Sequence, residues 1–177
     1  MRLQRFAMVL QESIELSRGR FGERREVSAS AWDIADIGHV VIDDEGSPCG
    51  CGGRSCIERN ASGTAIAAYA SEEYNETINA QEVFRRASRG DRLGSDILNR
   101  ATRQILCILI DCIAMLDLDC VVVGGGVGAC SWLHRRTSAE VDMASETFRR
   151  PVLAARFGAD AGLIGVARLA SERKFHP

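Results

Sequence analysis

Four residues of the kinds that bind zinc, His39, Cys49, Cys51 and Cys56, lie within eighteen positions of one another. A tetrahedral zinc ion takes sulfur at ~2.3 Å and imidazole nitrogen at ~2.0–2.1 Å, so the backbone must wrap tightly around it. Glycine allows such wrapping because it adopts positive φ without steric cost, and glycines occupy positions 50, 52 and 53. The spacing therefore predicts a zinc loop over residues 39–56.

Two other interpretations of these cysteines stay open, namely unrelated thiols in a loop or a redox pair. A flexible polar loop would expose thiols to oxidation, which favours the metal site. The remaining four cysteines lie in apolar or glycine-rich surroundings. There we expect small buried side chains, at Cys107, Cys112, Cys120 and Cys130.

Composition restricts the class of protein. The chain has 177 residues, of which 46% are hydrophobic, and a net charge of -2. A chain of this length buries roughly 70% of its unfolded surface, so its core needs no disulfides. Because the charge is balanced, we expect no nucleic acid partner. No stretch reaches the ~20 apolar residues of a membrane helix, so we expect a cytoplasmic protein with no membrane partner.

Residues 1–35 are the least regular part of the chain, and residues 36–56 have the Gly, Asp, Pro and Cys content of turns. Apolar residues three or four positions apart predict an amino-terminal helix, followed by a loop or hairpin, at Leu3, Phe6, Leu10 and Ile14. A short β-branched run predicts a strand at 40–43.

Helical patterns follow. An Ala-rich segment predicts a buried helix over 62–70, and Asn79 with Glu82 forms a capping box for a second helix that ends near Gly90. A third helix has one broad apolar stripe, which we expect in the core: Ile97, Ala101, Ile105, Ile108, Cys112, Ile113 and Leu116.

The rest of the chain alternates between strands and helices. Short apolar runs predict strands at 120–123 and 151–157, and residues 160–170 have the small and apolar side chains of a closing helix. The alternation predicts an α/β architecture.

Gly124, Gly125 and Gly126 follow the first of these strands. Backbone N–H groups between a strand and a helix can bind a phosphate or nucleotide. A plain turn is the alternative, because no Lys or Ser/Thr follows at phosphate-loop spacing.

Five segments together, spanning about residues 36–170, resemble the ROK family of sugar kinases and repressors. They are Asp36-Ile37-Gly38-His39, Cys49-x-Cys51-Gly52-x-x-x-Cys56-x-Glu58, Ser62-Gly63, Val121-Val122-Val123-Gly124-Gly125-Gly126-Val127 and Asp160-Ala161-Gly162-Leu163-Ile164-Gly165.

The resemblance implies an actin-like, two-lobed fold of the hexokinase and ROK type. Residues 36–177 would form its carboxy-terminal lobe with the zinc loop 39–56, and residues 1–35 would be a poorly matched amino-terminal segment. It also implies transfer of the γ-phosphoryl group of ATP, with Mg²⁺, to the 6-hydroxyl of an amino sugar or hexose. Within the family, the resemblance is strongest to members that act on N-acetylmannosamine. A homodimer is a further expectation, because dimerisation is common in such kinases.

Residue by residue, the resemblance assigns zinc to His39, Cys49, Cys51 and Cys56, sugar contacts to Asp36, His39 and Glu58, and nucleotide to Gly124, Gly125 and Gly126. Two positions depart from the family pattern. Asp36 stands where a glutamate is frequent, and Ser55 where a glycine is usual. Without the resemblance, Asp36 could cap a turn and Glu58 could be a solvated carboxylate at a helix start.

Three family features are absent from the sequence: an Asp-x-Gly-Gly-Thr phosphate loop, an Asn-Asp pair with the general base, and a Gly-Thr-Gly-x-Gly-Gly segment. No catalytic residue is therefore assigned, and we expect this chain, as a truncated kinase or one lobe of a kinase, to be weakly active or inactive alone. The alternatives are a sugar-binding module like the ROK regulators and a glucokinase-type hexose kinase.

Overall fold

The computed structural model describes residues 6–10, 14–18, 34–35, 37–43, 46–116, 118, 120–124, 131–157 and 164. Its elements begin with three strands, β1 (Phe6–Leu10), β2 (Ile14–Arg18) and β3 (Ile34–Ala35), and a 3-10 turn at Ile37–His39. Four helices follow: α1 (Glu58–Ala61), α2 (Gly63–Tyr74), α3 (Ala80–Ser88) and α4 (Arg92–Leu116). Strand β4 (Val121–Val123), helix α5 (Ser131–Met143) and strand β5 (Val152–Ala154) complete the order.

The predicted amino-terminal helix is wrong, because the segment forms an antiparallel hairpin. Strand β1 pairs with β2 from Phe6 opposite Arg18 to Leu10 opposite Ile14, and β3 adds to the other edge of β2. Apolar and polar residues alternate in Ile14-Glu15-Leu16-Ser17, a period of two that indicates a strand. The hydrogen bonds between paired strands therefore determine the structure of this segment, although its larger apolar residues have helical spacing.

The capped helices are confirmed. The Ser62 hydroxyl accepts the N–H of Ala65 at 3.1 Å where α2 begins, and Asn79 Oδ1 accepts the N–H of Glu82 at 2.9 Å where α3 begins. Helix α2 ends at Tyr74 and is capped by Asn75, whose left-handed backbone has φ 51°. These bonds satisfy N–H groups that the first turn of a helix leaves without partners.

The apolar stripe of α4 lies in the core as predicted. Its members from Ile97 to Ile113 are all at least 96% buried, and α4 packs against α1, α2, α3 and α5. The side chain of Leu116 lies outside the described residues. Cys107 corrects one expectation, because it is exposed while Cys112 and Cys120 are buried. Successive residues are turned by about 100° on a helix, and Cys107 therefore points away from the face of Ile105 and Ile108. Cys130 lies outside the described residues.

Two parallel strands bear out the α/β prediction. Strands β4 and β5 pair in parallel from Val121 opposite Val152 to Val123 opposite Ala154, with α5 between them in sequence, and β1 lies beside β4. The strand predicted at 40–43 is replaced by one bridge between Val41 and Cys56. The helix predicted at 160–170 lies outside the described residues except for Ile164, which is helical. Among the described helices, none has the length and apolar character needed to cross a bilayer.

Candidate functional site

Two strand-like segments bring the ends of the cysteine loop together. The Ile57 N–H donates to Val40 O at 2.9 Å, and the Ile42 N–H donates to Ser55 O at 3.0 Å. These bonds flank the bridge between Val41 and Cys56. His39, at the end of the 3-10 turn, is thereby held next to Cys56, although seventeen positions separate the two in sequence.

A tight turn brings the other two cysteines to the same place. The Cys49 N–H donates to Gly53 O at 2.9 Å, and the Gly52 N–H donates to Cys49 O at 3.1 Å. Gly52 has φ +90°, a value that side chains disfavour. The backbone conformation at position 52 therefore requires glycine. The sequence predicts that glycine helps this loop to close.

The four predicted ligands lie close enough to share one ion. Their candidate ligand atoms all lie within 4.8 Å of one another. Cys49 Sγ is 3.5 Å from His39 Nδ1, and Cys51 Sγ is 3.6 Å from Cys56 Sγ. Sulfur ligands ~2.3 Å from a tetrahedral zinc ion are ~3.8 Å apart. Three sulfurs and one imidazole fit zinc in number and chemistry, and the Cys51–Cys56 and Cys49–His39 separations are close to this value.

The thiols of the cluster differ in their environments. The Gly53 N–H donates to Cys51 Sγ at 3.4 Å, and this bond lowers the pKa of the exposed Cys51 thiol. Burial, aided by the neighbouring thiols, raises the pKa of Cys56 to about 12. A bound cation deprotonates a coordinating thiol. The donor set therefore suits a cation, which would keep the buried Cys56 in its thiolate form.

His39 has a second neighbour on the side away from the thiols. Its Nε2 atom lies 3.8 Å from Glu58 Oε2, and both side chains are about one third exposed. Glu58 is the first residue of α1, which begins two positions after Cys56. The imidazole thus stands between the cysteine cluster and an accessible carboxylate.

Sequence reasoning missed Asn60. Its side-chain Nδ2 donates to Cys56 O at 3.0 Å and so ties the most buried ligand residue to α1. An asparagine four positions after a cysteine at a helix start was the available signal.

The other predicted site residues are only partly described. Asp36, Gly125 and Gly126 lie outside the described residues. Gly124 follows β4, and a Cβ atom there would lie 2.5 Å from Ala155 Cβ. Close packing of the chain thus accounts for glycine at 124, and its contact with a nucleotide stays a prediction.

A sequence model of the ROK family matches residues 33–173. The N-acetylmannosamine kinase of Escherichia coli O127:H6 is 38% identical over 138 residues, which are 78% of this chain and 47% of that protein. The enzyme of the same name from E. coli K12 is 37% identical over the same shares. The chain therefore spans about half the length of these relatives.

Solved structures share the fold. The ROK family glucokinase from Streptomyces griseus, in complex with glucose and AMPPNP, matches with a TM-score of 0.73 and 24% identity, over 96% of this chain and 61% of that one. A ROK family transcriptional regulator, homologous to the E. coli MLC protein, matches with a TM-score of 0.77 and 18% identity, over 95% and 46%. The fold of this chain is thus shared with part of a kinase and with part of a regulator.

Proposed function

Because the chain belongs to the ROK family, we propose that it forms the zinc-stapled carboxy-terminal lobe of a cytoplasmic, ATP-dependent kinase that phosphorylates N-acetylmannosamine at its 6-hydroxyl. The observation that carries this proposal is the position of His39, between three thiols and the Glu58 carboxylate. The identity of 37–38% to N-acetylmannosamine kinases supports the choice of sugar.

The residues that would hold zinc are His39, Cys49, Cys51 and Cys56. His39 Nδ1 faces Cys49 Sγ, so coordination through this nitrogen would fix the tautomer of the imidazole with its N–H at Nε2. This nitrogen is the one that faces Glu58. The His39 N–H is then a rigid donor, and Glu58 a rigid acceptor, for the hydroxyls of a sugar.

The gap between these two groups suits a ligand. His39 Nε2 and Glu58 Oε2 are 3.8 Å apart, beyond the length of a strong hydrogen bond, and we infer that a sugar hydroxyl contacts both groups. We assign a third sugar contact to Asp36, and the phosphate or adenosine group of ATP to the backbone at Gly124, Gly125 and Gly126. Glucose and AMPPNP in the S. griseus glucokinase support a sugar and ATP as the ligands.

Turnover requires groups that the matched segments do not supply. A general base contributes typically ~10²–10⁴-fold to rate, and no Asn-Asp pair occurs in the 177 residues. We therefore propose that this polypeptide alone binds sugar and turns it over negligibly.

Calorimetric titration of the purified chain with N-acetylmannosamine, with and without one equivalent of zinc, tests the site. We expect saturable binding that requires zinc and is weaker for N-acetylglucosamine, mannose and glucose. Absence of sugar binding by zinc-loaded protein would contradict the proposal. A coupled ADP-release assay tests turnover, and a rate near 1–10³ s⁻¹, the usual enzyme range, would show that a general base is present after all.

A sugar-responsive regulator is the second candidate, because the chain superposes on a ROK transcriptional regulator with a TM-score of 0.77. DNA binding separates the two functions, since it weakens steeply with salt. Retention of the chain on DNA at low salt and its release at high salt would favour the regulator. Sugar binding without DNA retention favours the kinase lobe.

A further inference from the structure

Ser55 has an unusual backbone for a residue with a side chain. Its φ is 56°, and it is one of two non-glycine residues with positive φ in the described part of the chain. Hydrogen bonds hold it on both sides, because its N–H donates to Ser47 O and its carbonyl accepts from the Ile42 N–H, each at 3.0 Å. The left-handed conformation is disfavoured for L-residues other than glycine, so this position is strained.

The side chain of Ser55 adds a second constraint. It is fully buried, and its hydroxyl has no hydrogen-bond partner among the described residues. The hydroxyl fills the space beside Gly46, where a Cβ atom would lie 2.1 Å from Ser55 Oγ and 2.9 Å from Ser55 Cβ. The side chain of Ser55 therefore leaves no room for a side chain at position 46.

Ser55 also controls the direction of a ligand. The next residue is Cys56, which is 1% exposed and whose Sγ lies 3.6 Å from Cys51 Sγ. If Ser55 left the left-handed region, the chain direction at Cys56 would change and its thiol would turn away from the cluster. The geometry that brings the four ligands together therefore depends on the strained conformation of Ser55.

We propose that Ser55 is a positioning residue of the metal site, which aims Cys56 at the other ligands and, through its strain, weakens metal binding. The inference rests on the proposed zinc site. Without metal the loop can relax at Ser55, and metal binding must restore the strained conformation. Glycine at 55 would reach it without strain and make the loop better preorganised.

Zinc affinity in competition with a chromophoric chelator tests this inference. We expect S55G to bind zinc about threefold to tenfold more tightly than the natural chain, after allowance for the greater freedom of glycine when unfolded. S55A keeps the strained backbone and removes only the hydroxyl, so its affinity should stay near that of the natural chain. Equal tightening in S55A and S55G would overturn the assignment to backbone strain.

A pair of variants tests the contact with Gly46. G46A should weaken zinc binding, because its methyl group collides with Ser55, and adding S55G should recover much of the loss. A G46A loss that S55G leaves unchanged would overturn the proposed coupling. The absorption spectrum of bound Co²⁺ should keep its thiolate bands in S55G and change in G46A, if Cys56 is the group that moves.

Asn75 supplies the matched control, because it is the other positive-φ residue and lies at the end of α2. N75G should change thermal stability and leave zinc affinity unaltered. If the natural chain binds no zinc, the proposed function falls and this inference with it. If the natural chain binds one zinc and S55G binds it no more tightly, only the role of Ser55 is overturned.

Discussion

At the scale of single residues, the two ring nitrogens of His39 have different neighbours. Nδ1 lies 3.5 Å from Cys49 Sγ, and Nε2 lies 3.8 Å from Glu58 Oε2. A rotation of the ring would exchange these contacts, so a ligand on one nitrogen fixes the direction of the other. The two roles proposed for this residue are therefore coupled.

Cys51 is the candidate ligand whose removal is easiest to interpret, because its side chain is exposed and its replacement leaves no cavity. C51S should reduce bound zinc well below one per chain and lower the thermal midpoint, since metal binding is coupled to loop folding. Elemental analysis and thermal denaturation measure the two effects. C107S, on the exposed side of α4, should change neither. Full zinc content in C51S would exclude Cys51 as a ligand.

Glu58 separates sugar binding from metal binding. E58Q keeps the shape of the side chain and removes the charge that accepts a sugar hydroxyl, so affinity for N-acetylmannosamine should fall about 10- to 100-fold. Bound zinc should remain one per chain, because the carboxylate is not among the four clustered ligand residues. Titration calorimetry and elemental analysis measure the two quantities. Loss of zinc together with sugar binding would instead place Glu58 in the metal site.

At the scale of elements, α3 has an ion-pair network on its exposed side. Glu82 accepts hydrogen bonds from Arg85 and, at 3.0 Å, from Arg86, and Arg86 also pairs with Glu76 at 3.0 Å. Hydrogen bonds from the two arginines lower the pKa of Glu82 to about 2. Glu82 thus stabilises the helix through its charged side chain as well as through the cap at Asn79.

This network predicts a dependence of stability on pH. A carboxyl group with a lowered folded-state pKa stabilises the protein above its ordinary pKa, and this stability is lost as the pH falls. For Glu82, this stability should be lost as the pH falls from about 4.5 to about 2. The thermal midpoint of the natural chain should therefore fall more steeply over this range than that of E82Q. E73Q changes an exposed acid of α2 and should follow the natural chain. Parallel curves for E82Q and the natural chain would contradict the prediction.

The elements that the sequence predicted correctly are those in which local and long-range preferences agree. Asn79 and Glu82 form their cap from neighbouring residues, and the stripe of α4 needs only a hydrophobic core to face. The amino-terminal hairpin depends on pairing between strands. The spacing of apolar residues along one segment gives no information about such pairing. Cys107 was assigned to the core from the apolar character of its neighbours, although its angular position on α4 places it outside.

The clustering of the four site residues could also be predicted from local sequence. Its four candidate ligand residues lie close in sequence, and their identities favour the binding of a metal ion such as zinc. The order and orientation within the cluster were not predictable from spacing, because they depend on backbone bonds such as that between Ile57 and Val40. The left-handed backbone of Ser55 likewise depends on its bonds to Ser47 and Ile42, which sequence spacing does not reveal.

At the scale of the whole molecule, two separate regions surround the core. Ile57 anchors the cysteine loop in the core, where its side chain is only 1% exposed. Val121 and Val123, each also 1% exposed, anchor the parallel pair of strands. Helix α4 packs against both α1, which follows the loop, and α5, which connects the strands.

A substitution at Gly124 tests how tightly the strands β4 and β5 are packed. G124A should destabilise the chain by about 1–3 kcal/mol, the usual range for overpacking, because the new methyl group would lie 2.5 Å from Ala155 Cβ. Adding A155G removes the collision and should restore most of the stability. Urea denaturation of the natural chain and the two variants measures this. An unaffected G124A, or a double variant as unstable as the single one, would contradict the close contact.

The exposed thiol of Cys107 has a practical consequence for measuring how much of the protein is loaded. Once the clustered sulfurs are coordinated, Cys107 is the accessible thiol that remains among the described cysteines, since Cys112 and Cys120 are buried. Of the cysteines that the structure describes, a maleimide fluorophore would then label Cys107 in the loaded protein. After chelation the same reagent would also reach Cys51. The ratio of dye to protein thereby becomes a direct readout of occupancy.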